Sequence, residues 1–278
     1  MHTDMTAMNS TRLNGHSLDF DVTEAADARP GAPDLLLLSG WCQDHRLFDP
    51  VLPLLAAGHR VIRMDWRGHG RERTVDGDFG VREMADDAVA LLDELGVGRV
   101  VPVSTSHGGW ANVETADRLG TARVPGLVVI DWLMLPATPG FLADLRTSQD
   151  TATWRAGRQN LFDIWLGDAD CPAVAHHLEA EMGSFDHEMW ARSCRVIEDA
   201  YTTWGSPLER MAALRERRPV THLFSQPGEE PYLDAQREFA ARQPWFTPHR
   251  LGGPTHFPTL DSPAAVAERI AAFCAELP

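Results

Sequence analysis

The sequence predicts an α/β fold, with a mostly parallel central sheet, helices on both faces and an inserted helical segment, and three observations carry that expectation. From residue 18 onward, short apolar runs rich in branched residues alternate with amphipathic helical patterns. Each run ends in a loop of glycine or polar residues, as parallel strands do where they carry a site. The alternation stops between residues 136 and 214, where helical patterns stand alone, and it resumes at Val220.

Taken in order, Leu18 to Val22 and Leu35 to Ser39 read as strands, the second running into Gly40-Trp41, and Arg60 to Asp65 is a third, followed by Arg67-Gly68-His69-Gly70. Val81 to Leu95 has apolar residues at helical spacing with Asp and Glu between them, and Gly96 and Gly98 stand where a helix stops. A strand at Val100 to Ser104, a helix at Gly108 to Leu119 and a strand at Gly126 to Asp131 complete a β-α-β-α-β run. The segment 136–214 concentrates Trp154, Phe162, Trp165, Trp190, Tyr201 and Trp204 and reads as a helical cap. After it come a strand at Val220 to Ser225, a helix at Leu233 to Ala241, a last extended stretch at Pro248 to Leu251 and an amphipathic helix at Pro263 to Leu277. This gives one core, 12–135 with 215–278, interrupted by a cap at 136–214 and preceded by an extension at 1–11 that carries no motif.

Lys and Arg number 25 against 40 Asp and Glu in the 278 residues, a formal charge of −15 that repels nucleic acid and anionic membranes and directs attention to a small-molecule ligand. No run approaches the roughly 18 apolar residues of a membrane span, and the polar stretch Met1 to Asp19 lacks the charged-then-apolar pattern of a secretion signal. Cys42, Cys171, Cys194 and Cys274 are scattered without metal-ligand spacing, so free thiols in the cytoplasm are expected, with no metal site. A monomer is the default.

The strongest local signal is Ser104-Thr105-Ser106-His107-Gly108-Gly109 between a strand and a helix, the place of a nucleophile elbow, where a tight turn exposes the Ser106 hydroxyl and Gly108 relieves crowding. Ser104 stands where the G-x-S-x-G pattern has its first glycine, and a small residue suffices there. His256, in Gly253-Pro254-Thr255-His256-Phe257-Pro258 before the last helix, lies where an α/β-hydrolase fold presents its general base. Its orienting acid is either Asp131, at a strand end, or one of Glu229, Glu230 and Asp234 in the looser loop after the next strand, and the better-fixed Asp131 is preferred. The turn Gly40-Trp41-Cys42-Gln43 offers Trp41, and the position after the elbow serine offers His107, as candidate backbone donors of an oxyanion hole. His176, His177, His187, His222 and His249 lack such contexts and read as surface or packing residues.

Gly40-Trp41-Cys42 with Asp44-His45-Arg46, Trp66-Arg67-Gly68-His69, Ser106-His107-Gly108 with Trp110, Asp131-Trp132-Leu133, Phe162-Asp163 with Trp165, and the His256 loop together resemble the cofactor-independent 2,4-dioxygenases that cleave 3-hydroxy-4-oxoquinolines, over residues 12 to 275. The resemblance implies an α/β-hydrolase fold that performs no hydrolysis. It implies a His256-Asp131 dyad that deprotonates the substrate 3-hydroxyl, dioxygen as co-substrate without metal or organic cofactor, and carbon monoxide and an N-acylanthranilate as products. Ser106 then binds substrate, the Trp41 and His107 amides polarise the C4 oxygen, Trp165 walls the pocket, and Trp132, Gln43 and Thr105 belong to the substrate-binding set. Some members are expected to carry histidine where this chain has Gln43 and Thr105, so a proton-handling role is not carried over to either.

The same Ser106, Asp131 and His256 could serve a serine esterase or lactonase, and a third reading is a catalytically silent binder. Truncating Ser106 separates the first two, since acyl transfer needs its oxygen and ring cleavage does not.

Overall fold

The computed structural model describes residues 8–27 and 29–278. The sheet strands are β1 (Asn9–Leu13), β2 (His16–Thr23), β3 (Asp34–Leu38), β4 (Val61–Met64), β5 (Val100–Thr105), β6 (Leu127–Ile130), β7 (Val220–Phe224) and β8 (Phe246–Arg250). They form one sheet in the order β1-β2-β4-β3-β5-β6-β7-β8, antiparallel at β1-β2 and β2-β4 and parallel from β4 onward. Central strands buried on both faces need continuous apolar runs, and Leu35 to Leu38 and Leu127 to Val129 are fully buried.

Helices α1 (Leu52–Leu55), α2 (Val81–Glu94) and α3 (Gly109–Arg123) fill the first crossovers. The stripe Met84, Ala88, Leu91 and Leu92 packs α2 on the sheet; Glu83 reaches back to the Gly80 N–H at 2.9 Å, and Gly96 ends the pattern with φ 62°. Between β6 and β7 come only helices among the described residues: α4 (Pro139–Gln149), α5 (Trp154–Leu166), α6 (Pro172–His176), α7 (His187–Trp204) and α8 (Pro207–Ala212), with a π-helical turn at His177–Glu181. Thr138, Asp186 and Ser206 cap α4, α7 and α8 by accepting backbone N–H groups from Phe141, Met189 and Glu209. Helices α9 (Glu230–Arg242), α10 (Pro258–Asp261) and α11 (Pro263–Glu276) complete the fold.

This is the α/β fold the alternation predicts. Three details differ. Asn9 to Thr11, placed in an extension by the sequence, form part of β1, and residues 1–7 of that extension lie outside the described residues. Helix α9 starts at Glu230 rather than Leu233 because Pro231 suits a first turn, whose N–H has no helical acceptor. The last strand begins at Phe246, two residues before Pro248.

Candidate active site

Ser106 follows β5 at φ 47°, a left-handed conformation that turns the chain sharply into the 3-10 turn Ser106–Gly108 and α3. A Cβ on Gly108 would lie 2.3 Å from the Ser39 carbonyl oxygen, and one on Gly109 2.3 Å from the Trp132 ring, so the elbow fits only against these neighbours without side chains. Ser104 is tolerated at the first elbow position because its buried hydroxyl accepts from Asn112 Nδ2 at 2.9 Å.

Asp131 also has positive φ, 45°, and is 1% exposed. Its carboxylate accepts from the backbone N–H groups of Ser225 (2.9 Å) and Gln226 (3.2 Å), and from His256 Nδ1 at 3.2 Å. Burial raises its pKa, while the His256 and backbone contacts pull it down. The end of β7, where the competing acids were sought, thus supplies donors to the acid rather than the acid itself; Glu230 and Asp234 pair with Arg237 on the surface.

Because Asp131 only accepts, it selects the Nδ1–H tautomer and leaves the His256 Nε2 lone pair facing Ser106 Oγ, 3.2 Å away. The His256 loop is held by Asp261, whose Oδ2 accepts from Thr255 N (3.1 Å) and Oγ1 (2.6 Å), and by the His256 N–H, which donates to Trp165 O at 2.9 Å. The Trp165 ring stacks on the imidazole at 5.5 Å and 17°.

Trp41, Gln43, Ser106 and His107 form the core side of a cavity of about 30 Å3. Phe141 and Leu145 of α4, Leu161 and Trp165 of α5, and Trp190 and Ile197 of α7 form its cap side. That space holds about one water molecule, so a ring ligand enters only as cap side chains withdraw. Among the described residues the Trp41 N–H has no protein acceptor, and the His107 N–H sits at the start of the 3-10 turn, where no helical acceptor exists. The His107 ring lies between Phe141 (5.6 Å, 18°) and Tyr201 (5.8 Å, 77°), and burial, with the charge of His256 adding to it, lowers its pKa to about 3, so it is neutral.

The structure therefore brings together Ser106, Asp131, His256, Trp41, His107, Trp165 and Gln43; Asp131 and His256 stand behind Ser106 rather than in the cavity wall, and Thr105 and Trp132 are also off it. Thr105 lies behind it, bonded to Gly40 N and Gln43 Oε1. Trp132 is fully buried edge-on to Trp110 at 4.9 Å and under Gly109, because the chain turns inward after Asp131; it packs the elbow rather than touching a ligand. Sequence reasoning named Trp165 from the cap but missed Asp261 and the rest of the cap lining, Phe141, Leu145, Leu161, Trp190 and Ile197. The lining was signalled by apolar pairs at i, i+4: Phe141/Leu145 and Leu161/Trp165. Of the histidines set aside, His177 and His222 are buried packing residues, His222 bonding Gln236 and His177 bonding Glu181.

The model of the alpha/beta hydrolase family matches residues 35–269 of the chain. The chain is 46% identical over 266 residues to 1H-3-hydroxy-4-oxoquinoline 2,4-dioxygenase of Pseudomonas putida, covering 96% of this chain and 99% of that one. It is 46% identical over 255 residues to 2-heptyl-3-hydroxy-4(1H)-quinolone dioxygenase of Mycobacteroides abscessus, covering 92% and 93%. A solved AqdC variant in complex with its substrate, a study of recognition and ring-cleavage of the Pseudomonas quinolone signal, superposes with a TM-score of 0.92 at 43% identity over 97% of this chain and 99% of that one.

Proposed function

The chain belongs to the alpha/beta hydrolase family and, within it, to the 3-hydroxy-4-oxoquinoline 2,4-dioxygenases, and from that membership we propose that it opens the heterocyclic ring of a 3-hydroxy-4(1H)-oxoquinoline bearing hydrogen, methyl or alkyl at C2. The observation that carries the reading is the Asp131-His256 pair, whose Nε2 faces Ser106 Oγ at 3.2 Å, Ser106 itself standing in the wall of an aromatic-lined cavity. His256 Nε2 takes the 3-hydroxyl proton, and Asp131 stabilises the imidazolium that results. The substrate anion reacts with dioxygen, the peroxide formed attacks the C4 carbonyl, and the endoperoxide collapses to carbon monoxide and an N-acylanthranilate, both oxygen atoms being retained in the products. The Trp41 and His107 N–H groups polarise the C4 oxygen, Ser106 hydrogen-bonds the substrate, and Trp165 keeps water from the base.

Neither metal nor organic cofactor enters these steps. Among the described residues no group of three His, Cys, Asp or Glu side chains is placed to hold a metal ion, and dialysis against a chelator is expected to leave the rate unchanged. No helix among the described residues is long and apolar enough to cross a membrane. All four cysteines are unpaired, which suits the reducing cytoplasm as the compartment. Residues 12–135 and 215–278 act as the catalytic core and 136–214 as its cap, in a monomer that light scattering would identify.

The test is carbon monoxide release from 3-hydroxy-4-oxoquinoline and its 2-methyl and 2-heptyl forms under air and under nitrogen. Oxygen-dependent release is expected, weakened but present in Ser106→Ala. An esterase is the second reading, favoured by the elbow at Ser106 and its 3.2 Å contact with His256. Absence of carbon monoxide from all three substrates, with ester hydrolysis abolished in Ser106→Ala, would overturn the dioxygenase reading.

A further inference from the structure

The two candidate donors of the oxyanion hole come from different loops. Trp41 follows β3, and His107 follows β5. A hole of fixed span needs those loops locked to one another, and the lock is visible in three buried hydrogen bonds. The Gly40 N–H is shared between Thr105 Oγ1 and Gln43 Oε1, each at 2.9 Å, and the Thr105 hydroxyl donates to Gln43 Oε1 at 3.2 Å. Thr105 immediately precedes Ser106, and Gly40 immediately precedes Trp41, so the Thr105 hydroxyl sits one residue from each loop that carries a donor.

The surroundings leave this triangle little freedom. Gln43 closes its own turn a second time, its carbonyl accepting from Ser39 Oγ at 3.0 Å, while Ser39 O accepts from Trp66 Nε1 at 2.7 Å. A Cβ at position 40 would meet Gln43 Oε1 at 2.8 Å and Ser106 Cβ at 3.2 Å, so the Gly40 backbone is clamped between the two loops. Among the described residues Gln43 Nε2 has only the thioether of Met182, 3.9 Å away, as a partner, and this weak contact joins the turn to the cap. Thr105 does not line the cavity, whereas Gln43 does.

We propose that Thr105 and Gln43 are positioning residues: they set the spacing of the Trp41 and His107 N–H groups and so the stabilisation of negative charge on the bound substrate's C4 oxygen. The proposal rests on the dioxygenase reading for its substrate, and it adds a function for two residues to which no proton transfer is assigned. Anion formation at the 3-hydroxyl is helped by every donor aimed at the conjugated C4 oxygen, so slackening the lock affects both turnover and the bound substrate's acidity.

The experiment compares wild type with Thr105→Val, which keeps the shape and strand propensity and removes the hydroxyl, and Thr105→Ser, which restores it. Gln43→Met and the double variant Gln43→Met/Thr105→Val complete the set. Turnover is followed under air, and the absorbance of enzyme-bound 3-hydroxy-4-oxoquinoline is titrated with pH under nitrogen. Thr105→Val is expected to lower kcat about tenfold with KM within about twofold, a fraction of the loss when an oxyanion donor is removed outright. The bound substrate should ionise about one pH unit higher in that variant, Thr105→Ser should recover both properties, and the double variant should be far less than multiplicative. Wild-type kcat and an unshifted titration in Thr105→Val overturn the proposal, even if its melting temperature falls, because a purely structural hydroxyl affects stability alone. If wild type releases no carbon monoxide, the functional reading fails instead. The lock is then tested on p-nitrophenyl ester cleavage through the same hole, where Thr105→Val must still lower kcat at constant KM and an unchanged kcat overturns it.

Discussion

His256 has one ring nitrogen committed to Asp131 and the other turned to the Ser106 hydroxyl, and the whole site follows from keeping those two roles apart. Asp131 receives three donors, two from the backbone after β7 and one from the ring. Replacing it by Asn turns one of its acceptors into an amide NH2 that faces donors and removes the charge that stabilises the imidazolium. Asp131→Asn is expected to lose about 10³-fold or more in kcat while still binding substrate under nitrogen, a combination that stopped-flow turnover and fluorescence titration read separately. Removing the Trp165 stack is a milder change. Trp165→Ala keeps the backbone carbonyl that holds the His256 N–H but opens the ring's apolar face to water, so the expectation is a loss of kcat that is smaller than that of Asp131→Asn and accompanied by faster deuterium exchange of the substrate hydroxyl site.

At the scale of elements, what was legible in the sequence depended on how local the signal is. The elbow was legible because a strand, a tight turn and a helix are adjacent in the chain, and the base loop was legible because Gly, Pro and Thr frame His256 within a few residues. Strand β1 was missed because its residues are polar and mostly exposed, although Asn14-Gly15, at φ 51° and 83°, is the strongest two-residue hairpin signal available. Trp132 was misplaced because its neighbour Asp131 faces the site, and which way the next residue turns is set by Gly109 on α3, out of reach of a local pattern. The same close approaches give a sharp expectation. Gly108→Ala must push a Cβ into a carbonyl oxygen of β3's loop, where no rotamer can yield, and should cost about 3 kcal/mol or more. Gly252→Ala, with nothing within 4 Å of the added carbon, should cost under about 1 kcal/mol. Urea midpoints of the two variants, measured side by side, decide whether the elbow is as tightly packed as its distances say.

Across the whole molecule, three buried imidazoles tie stability to pH. His69, His107 and His222 are each buried, and burial lowers their pKa values to about 4, about 3 and about 3, well below the 6.5 of a free imidazole. Among the described residues His69 and His107 each leave a ring nitrogen without a partner, so neither has an acceptor ready for a second proton. The unfolded chain takes up these protons as the pH falls through 6.5, whereas the folded chain takes them up only near 3 to 4. Stability from these groups is therefore fully present above pH 6.5 and declines steadily below it. Each contributes a slope of about 1.4 kcal/mol per pH unit, so the three together amount to about 4 kcal/mol per unit between roughly pH 6 and 4. Asp65, Asp131 and His45, whose pKa values are raised in the folded state, work in the opposite sense, while His249, lowered by burial, and carboxylates held low by arginines, such as Asp44, add to the fall. Urea unfolding at pH 7.5, 6.5, 5.5 and 5.0 should show a fall in stability below pH 6.5, with a net uptake of protons on unfolding at pH 5. A stability curve that stays level down to pH 5 would mean that these rings are charged or solvated in the folded protein, and the dry, neutral surroundings of His107 beside the cavity would have to be given up with it.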